Sequence, residues 1–271
     1  MQKLKSNINL LLGTMILLSF LVMLIVSFFY TPYDVNEMQV ENKLQAPSSA
    51  HLFGTDEFGR DIFSRVMKGS QTAFAVGLMT IVIGGFFGVL IGSIAGYAGG
   101  WIDEIFMRLM DALMAFPGII LALMLVAVFG PGIVNTSIAL GIISIPSIAR
   151  VTRSGFIQQK EAEYVTAAKL LGLSHYKIMV KHILPNVFPQ ILVALSVTFS
   201  IALLAEASLS YLGLGVQPPD PSWGRMLKDS QAYMTTSPWY TYAPGAAITL
   251  LVLGFYLMSN AIRDLSDPRS E

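Results

Sequence analysis

One acidic residue, Glu206, stands inside an otherwise apolar run, Leu203-Leu204-Ala205-Glu206-Ala207-Ser208. A carboxylate inside a bilayer costs roughly 2.5 to 3.5 kcal/mol on insertion scales, so it should face protein or a watery cavity. It either lines or gates a pathway, or it is a partly neutral carboxyl bonding a neighbouring helix. Other chemistry is thin. No G-x-x-x-x-G-K-[ST] loop is present to cradle a nucleotide. His51, His175 and His182 are scattered and show no paired-ligand spacing, so no metal site is expected. No serine stands in a G-x-S-x-G elbow. The absence of Cys excludes disulfides, thiolate ligands and a cysteine nucleophile. Met107, Met110 and Met114 fall at helical spacing and read as a packed stripe rather than soft ligands. The expectation is a chain that is no enzyme and holds no cofactor.

The elements that would position Glu206 are set by hydropathy. Of 271 residues, 54% are hydrophobic and 13% charged, with a mean hydropathy of +0.63, against a usual charged share near 25%. Lys+Arg and Asp+Glu number 17 each, so no net charge advertises nucleic acid as a partner. Crossing a bilayer core about 30 Å thick takes roughly 20 apolar residues, and six runs meet this: 9–30, 73–97, 105–129, 133–149, 187–212 and 242–261. The fold class is therefore all-α, an integral membrane protein with six transmembrane helices. The first run follows Lys3 and Lys5 but is too long for a cleaved leader and is read as an anchor. Gly130-Pro131-Gly132 makes a hairpin of the third and fourth, and Pro117 should kink the third. Asp111, near the end of the third helix that would face inward, is within reach of headgroups.

Lys and Arg set the orientation. With the N-terminus inside, eleven of them fall inside (Lys3, Lys5, Arg108, Arg150, Arg153, Lys160, Lys169, Lys177, Lys181, Arg263 and Arg269) and six outside. Both termini are thus expected in the cytoplasm. Polar segments at 31–72 and 213–241 would be external and 150–186 cytoplasmic. The chain divides into an anchor with its external segment, 1–72, and a core, 73–271, carrying a cytoplasmic loop at about 150–189.

Two patterns go further. Gly84, Gly88, Gly92 and Gly96 share one helix face and leave bare backbone for a second helix, within the chain or from another subunit. In the cytoplasmic loop, Glu163-Tyr164-Val165-Thr166-Ala167-Ala168-Lys169-Leu170-Leu171 suits a helix. Gly172 should stop it, Ser174 should cap a second helix, and Pro185 should end that one. Two short amphipathic helices at an angle make a docking element, or alternatively a loop lying on the anionic inner leaflet.

Ala167-Ala168-x-x-x-Gly172, with Leu184-Pro185 downstream of His182, resembles the EAA loop of permease subunits of ATP-binding-cassette (ABC) importers. The run His51-Leu-Phe-Gly54-Thr-Asp56-Glu-Phe-Gly-Arg60-Asp61-Ile-Phe-Ser-Arg65 narrows the resemblance to the dipeptide/oligopeptide/nickel permease family, C-type subunit. So do Leu209-Ser-Tyr-Leu-Gly-Leu-Gly215, Pro221-Ser-Trp223-Gly224 and Arg263-Asp264-Leu-Ser-Asp267-Pro268-Arg269. Two positions depart: the EAA glutamate falls on Thr166, with Glu163 one turn earlier as a substitute, and an arginine common in the external segment falls on Gln71.

The resemblance implies the type I importer permease fold and half of a translocation pathway. It implies a homologous second permease, two cytoplasmic ABC ATPases that bind ATP and Mg, and an extracytoplasmic substrate-binding protein, with lipid around the assembly. Residues Glu163, Thr166, Ala167, Ala168, Gly172, His182, Leu184 and Pro185 would couple to the ATPases. Gly54, Asp56, Arg60, Asp61 and Trp223 would form the outer vestibule or the face that meets the binding protein; the alternative is a scaffold with Trp223 as an aromatic anchor at the membrane surface. Small peptides, nickel or a chelated metal are the cargoes implied. An ion-coupled secondary transporter would need intramembrane polar groups in paired halves, for which Glu206 alone is thin support. A membrane enzyme would need a reactive constellation.

Overall fold

The computed structural model describes residues 2–266, and the side chains of residues 8–263. Lys3, Lys5 and the closing motif beyond Arg263 lie outside the described side chains. Five helices are long and apolar enough to cross a membrane, and a bent pair supplies a sixth crossing if it counts as one. The helices are α1 (Gln2–Phe29), α2 (Ile62–Ala98), α3 (Gly100–Met114), α4 (Gly118–Phe129), α5 (Ile133–Lys160), α6 (Glu163–Leu170), α7 (His175–Lys177), α8 (Leu184–Tyr211), α9 (Trp223–Ser230) and α10 (Pro238–Ser266). Among the described residues there is no strand, only an isolated bridge between Thr55 and Asp61.

Four expected boundaries move. The second span is the later part of a helix that starts at Ile62, because Asp61 caps it by accepting from the Ser64 amide at 2.7 Å. A division at 72 and 73 therefore falls inside α2. The third span is two helices, α3 and α4, bent by 85°, a break rather than the kink expected of Pro117. The fourth does not end near Ala149 but continues through its polar end to Lys160. Pro185 does not end the second helix of the cytoplasmic loop. A π-helical turn, Ile178–Ile183, carries the chain from α7 into α8, so Pro185 stands within one helical run, His175–Tyr211, just after its widened turn.

The four spaced glycines meet α5 within the chain. A Cβ on Gly84 would stand 2.9 Å from the Ser144 Cβ, one on Gly88 2.7 Å from the Ile148 Cβ, and one on Gly96 2.7 Å from both the Arg153 carbonyl and the Phe156 Cβ. On Gly92 it would lie 2.8 Å from the Thr152 Cβ and 3.0 Å from the Arg153 nitrogen. Only hydrogen fits such a backbone approach. A second seam joins α1 to α10, where a Cβ on Gly13 would come within 2.9 Å of the Met258 nitrogen.

Two helices stop in the same way at the same tripeptide. At Leu171-Gly172-Leu173 the Gly172 amide donates to Lys169 at 3.0 Å and the Leu173 amide to Ala168 at 3.2 Å, with Gly172 at φ +74°. At Leu212-Gly213-Leu214 the Gly213 amide donates to Ser210 at 3.0 Å and the Leu214 amide to Leu209 at 2.9 Å, with Gly213 at φ +85°. Both are Schellman caps, which need a left-handed residue at this place.

Candidate functional site

The segment from α6 to the start of α8 has a buried base and an apolar tip. Val165, Ala168, Ile178 and Ile183 are buried with Phe156 of α5 and Val187 and Ile191 of α8. Tyr97, from the end of α2, brings its hydroxyl within 2.7 Å of His175 Nδ1 and meets that ring edge-on. Tyr164 accepts from Asn186 at 3.3 Å and donates to Gln159 at 2.8 Å, tying α6 to α8 and α5. At the tip Leu170, Leu171 and Tyr176 are 84, 81 and 74% exposed around Gly172, whose own Cβ position is open space.

The proposed coupling residues divide between these parts. Glu163, Thr166, Ala167, Gly172 and Pro185 are exposed, His182 and Leu184 are half-buried, and Ala168 is part of the base. Glu163 and Thr166 lie one turn apart on the open side of α6. Ser174 occupies the cap position before α7 but makes no side-chain bond there; its carbonyl accepts from the Ile178 amide at 3.0 Å. Sequence reasoning passed over Leu170, Leu171, Tyr176 and Tyr97, because apolar residues in a helix read as core.

Glu206 lies near the end of α8, about one and a half turns from Tyr211, and is 2% exposed. Ser210 Oγ donates to Glu206 Oε1 at 2.6 Å and accepts from the Val216 amide at 3.0 Å, so carboxyl and hydroxyl together hold the loop after α8. A groove of about 520 Å³ runs along α5 and α8 past Ser147, Val151, Gln190, Val193, Val197 and Thr198, and Glu206 does not line it. This placement favours the bonding role over the pathway role. Glu206→Gln, which keeps the accepting oxygen, should leave assembly and much of transport intact. Glu206→Leu strands the buried Ser210 donor and should cost about 1 to 3 kcal/mol, read as loss of folded protein on size-exclusion chromatography. Loss of transport by a normally assembled Gln variant would reverse the assignment.

The external residues are corrected most. Asp56, Asp61 and Trp223 are buried at 0, 3 and 2% exposure, so they present no docking face. Asp56 accepts from the Phe58 and Arg60 amides, both at 2.9 Å, and from Arg60 Nε at 2.6 Å. Asp61 bonds His51 at 2.9 Å as well as capping α2. Gly54 turns at φ +74° beneath Trp239. Burial pushes the carboxyl of Glu57 up, against a lowering hydrogen bond from Tyr240. Trp223 is no surface anchor: its Nε1 donates to the Val66 carbonyl at 2.9 Å, and Phe20 packs against it edge-on. Gln71, in place of the family's arginine, donates to the Ser27 carbonyl at 2.9 Å and joins α2 to α1. Polar residues in a polar segment read as surface, yet here their charges neutralise one another and a core forms around them.

The family described as binding-protein-dependent transport system inner membrane component matches residues 88–271, which takes in the α6–α8 segment. The chain belongs to this family. It is a multi-pass membrane permease of an ABC importer, and its family is one of transport proteins. The dipeptide transport system permease protein DppC of Alkalihalophilus pseudofirmus is 40% identical over 268 residues, 99% of this chain and 88% of that protein. The glutathione transport system permease protein GsiD of Pectobacterium atrosepticum is 40% identical over 255 residues, 92% of this chain and 85% of that one. The probable D,D-dipeptide transport system permease protein DdpC of Escherichia coli K12 is 39% identical over 258 residues, 95% and 87% of the two chains. The likeness is thus to permeases of dipeptide and glutathione transport systems. An ion-coupled transporter finds no support in these matches.

Proposed function

We propose that this chain is one half of the translocation pathway of an ATP-driven importer of small peptides, a class that includes dipeptides and the tripeptide glutathione. The observation that carries the coupling part is the α6–α8 segment, an exposed apolar tip on a base welded to three spanning helices. A tip of that kind fits a groove on a companion protein, and the family supplies that companion as a cytoplasmic ABC ATPase. Two ATPases bind ATP and Mg and close; the segment passes their movement to α2, α5 and α8. Glu163, Thr166, Ala167, Gly172 and Pro185 make the open face of this contact, and Ala168, His182 and Leu184 hold its shape. A homologous permease completes the pathway, with the groove along α5 and α8 on this chain's side of it, and an extracytoplasmic binding protein delivers cargo. Peptide is favoured over nickel by what the similar permeases are named for. The excess of Lys and Arg on α5, α6 and α7 supports cytoplasmic termini in a bacterial inner membrane.

Uptake of labelled dipeptide, glutathione and nickel ion in a strain deleted for the gene tests the substrate. Peptide uptake should fall and return with the gene, and unchanged peptide uptake would sink the assignment. Phosphatase-type reporters fused after Gln45 and Asp229 should be active outside and one after Lys160 silent; activity at Lys160 would invert the orientation.

A further inference from the structure

The break at residues 115–117 turns α3 away from α4 by 85°. α4 returns beside α5 in the hairpin, with Asn135 donating to the Phe129 carbonyl at 2.8 Å. Arg153 binds Asp103 through two nitrogens at 2.5 Å, and Arg150 binds Asp111 at 2.5 Å. The two aspartates are about 12 Å apart along α3, whereas the two arginines are about 4.5 Å apart along α5. Helices running side by side would match these spacings, so α3 lies across α5. Counted from Ile133, Arg150 and Arg153 stand about 25 and 30 Å along the helix, which is the depth of one hydrocarbon core. α3 therefore crosses the foot of the bundle at a membrane boundary, on the side that carries α6 and α7.

Around its axis α3 divides into three faces. Met110, 5% exposed, points into the protein, as does the aspartate of the Asp103–Arg153 pair. Glu104 and Arg108 pair with each other at 2.5 Å on a face open to water, their side chains 61 and 77% exposed. Trp101, Ile105 and Leu109, four residues apart, form a row that starts within about 20° of Arg108 at Trp101 and winds away from it towards Leu109, and they are 71, 50 and 55% exposed. An apolar stripe beside a charged one is the pattern of a helix lying in the interfacial plane, and tryptophan favours headgroup level.

We propose that α3 is an interfacial helix whose Trp101, Ile105 and Leu109 stripe is seated in the headgroup–acyl boundary of the bilayer, with Glu104 and Arg108 on its aqueous side. The helix is held there from the protein side by Arg150 and Arg153. This rests on the chain's being a multi-pass membrane protein and not on the ATPase-coupling reading.

The chain has no cysteine, so a nitroxide can be placed at one position at a time through Trp101→Cys, Glu104→Cys, Ile105→Cys, Arg108→Cys and Leu109→Cys. The label is read in the assembled importer, with cysteine-free companion chains, in vesicles of phosphatidylethanolamine and phosphatidylglycerol. Collisions with oxygen report lipid, and collisions with a water-soluble nickel chelate report water. At 105 and 109 the oxygen-to-chelate ratio should exceed that at 104 and 108 several-fold, with 101, at the edge between them, in between. Low accessibility to both reagents at 105 and 109 would mean that a protein, such as the second permease, covers the stripe, and would overturn the proposal. Equal ratios at all five positions would overturn it too, by placing the stripe in water.

Discussion

Gly92→Ala should lower the folded stability of the chain by about 1 to 3 kcal/mol, and Gly92→Leu should leave α2 and α5 unable to pair. The new Cβ has nowhere to go, since what surrounds it is largely the backbone of α5 and the Cβ of Thr152. Backbone cannot rotate out of the way as a flexible side chain would, so the helices must separate along the whole seam. Gly118→Ala is the matched control, because a Cβ there meets only the Ile143 Cδ1, at 3.9 Å. Thermal unfolding in detergent followed by size-exclusion chromatography separates the cases. Equal melting of the Gly92 and Gly118 alanine variants would show that the seam is not tightly packed in the protein.

Gly172→Val should leave the chain folded and inserted yet abolish uptake. The site is on the surface and its surroundings are open, so size is not the obstacle. The obstacle is φ +74°, which a β-branched residue avoids at a cost of about 1 to 2 kcal/mol. That strain is relieved by opening the cap at Leu173 and turning the Leu170, Leu171 and Tyr176 tip away. Gly172→Asn, which tolerates the left-handed region, should keep most of the uptake. Co-purification of the ATPases and peptide uptake are the measurements. Normal uptake in Gly172→Val, beside failure in a Lys177→Gln/Lys181→Gln double variant, would instead favour a loop held on the membrane surface.

The spans were legible because an apolar run of about 20 residues has few other uses in a chain this poor in charge. Their ends were not, since hydropathy marks where the membrane stops and hydrogen bonding marks where the helix stops. α5 shows the difference by running on from Ala149 to Lys160 through polar residues. The earlier start of α2 did leave a signal in Asp61, whose carboxylate caps the helix three residues before Ser64. The 85° break left a weaker one: Pro117 is visible, but Arg150 and Arg153, which hold α3 across α5, are 39 and 50 residues from the aspartates they bind. In the candidate site, Gly172 could be read because a glycine directly after a helix-forming run is a natural stop. The π-helical turn could not, because nothing local distinguishes a proline that ends a helix from one that stands within a longer run. Trp223 reads as surface because the Val66 carbonyl that binds it is far away in the chain, whereas Asp56 and Asp61 read as surface although Arg60 and His51, their partners, stand close by in sequence.

The glycine seam also carries a handedness. Residues four apart fall about 40° past facing the same way, so the row from Gly84 to Gly96 winds around α2 rather than running down it. A row of this kind is inclined to the helix axis by about 26°, and a straight partner can follow it only by crossing in the right-handed sense. Crossed rods diverge beyond their nearest approach. Ahead of the seam the glycines of α2 accordingly serve other neighbours: a Cβ on Gly77 would meet Phe199 of α8, and one on Gly69 would meet Trp223 of α9. The chirality of the α-helix thus lets α2 meet α9, α8 and α5 through successive glycines, while α8 stays packed on α5 down to its foot, where Phe156 is buried with Val187 and Ile191.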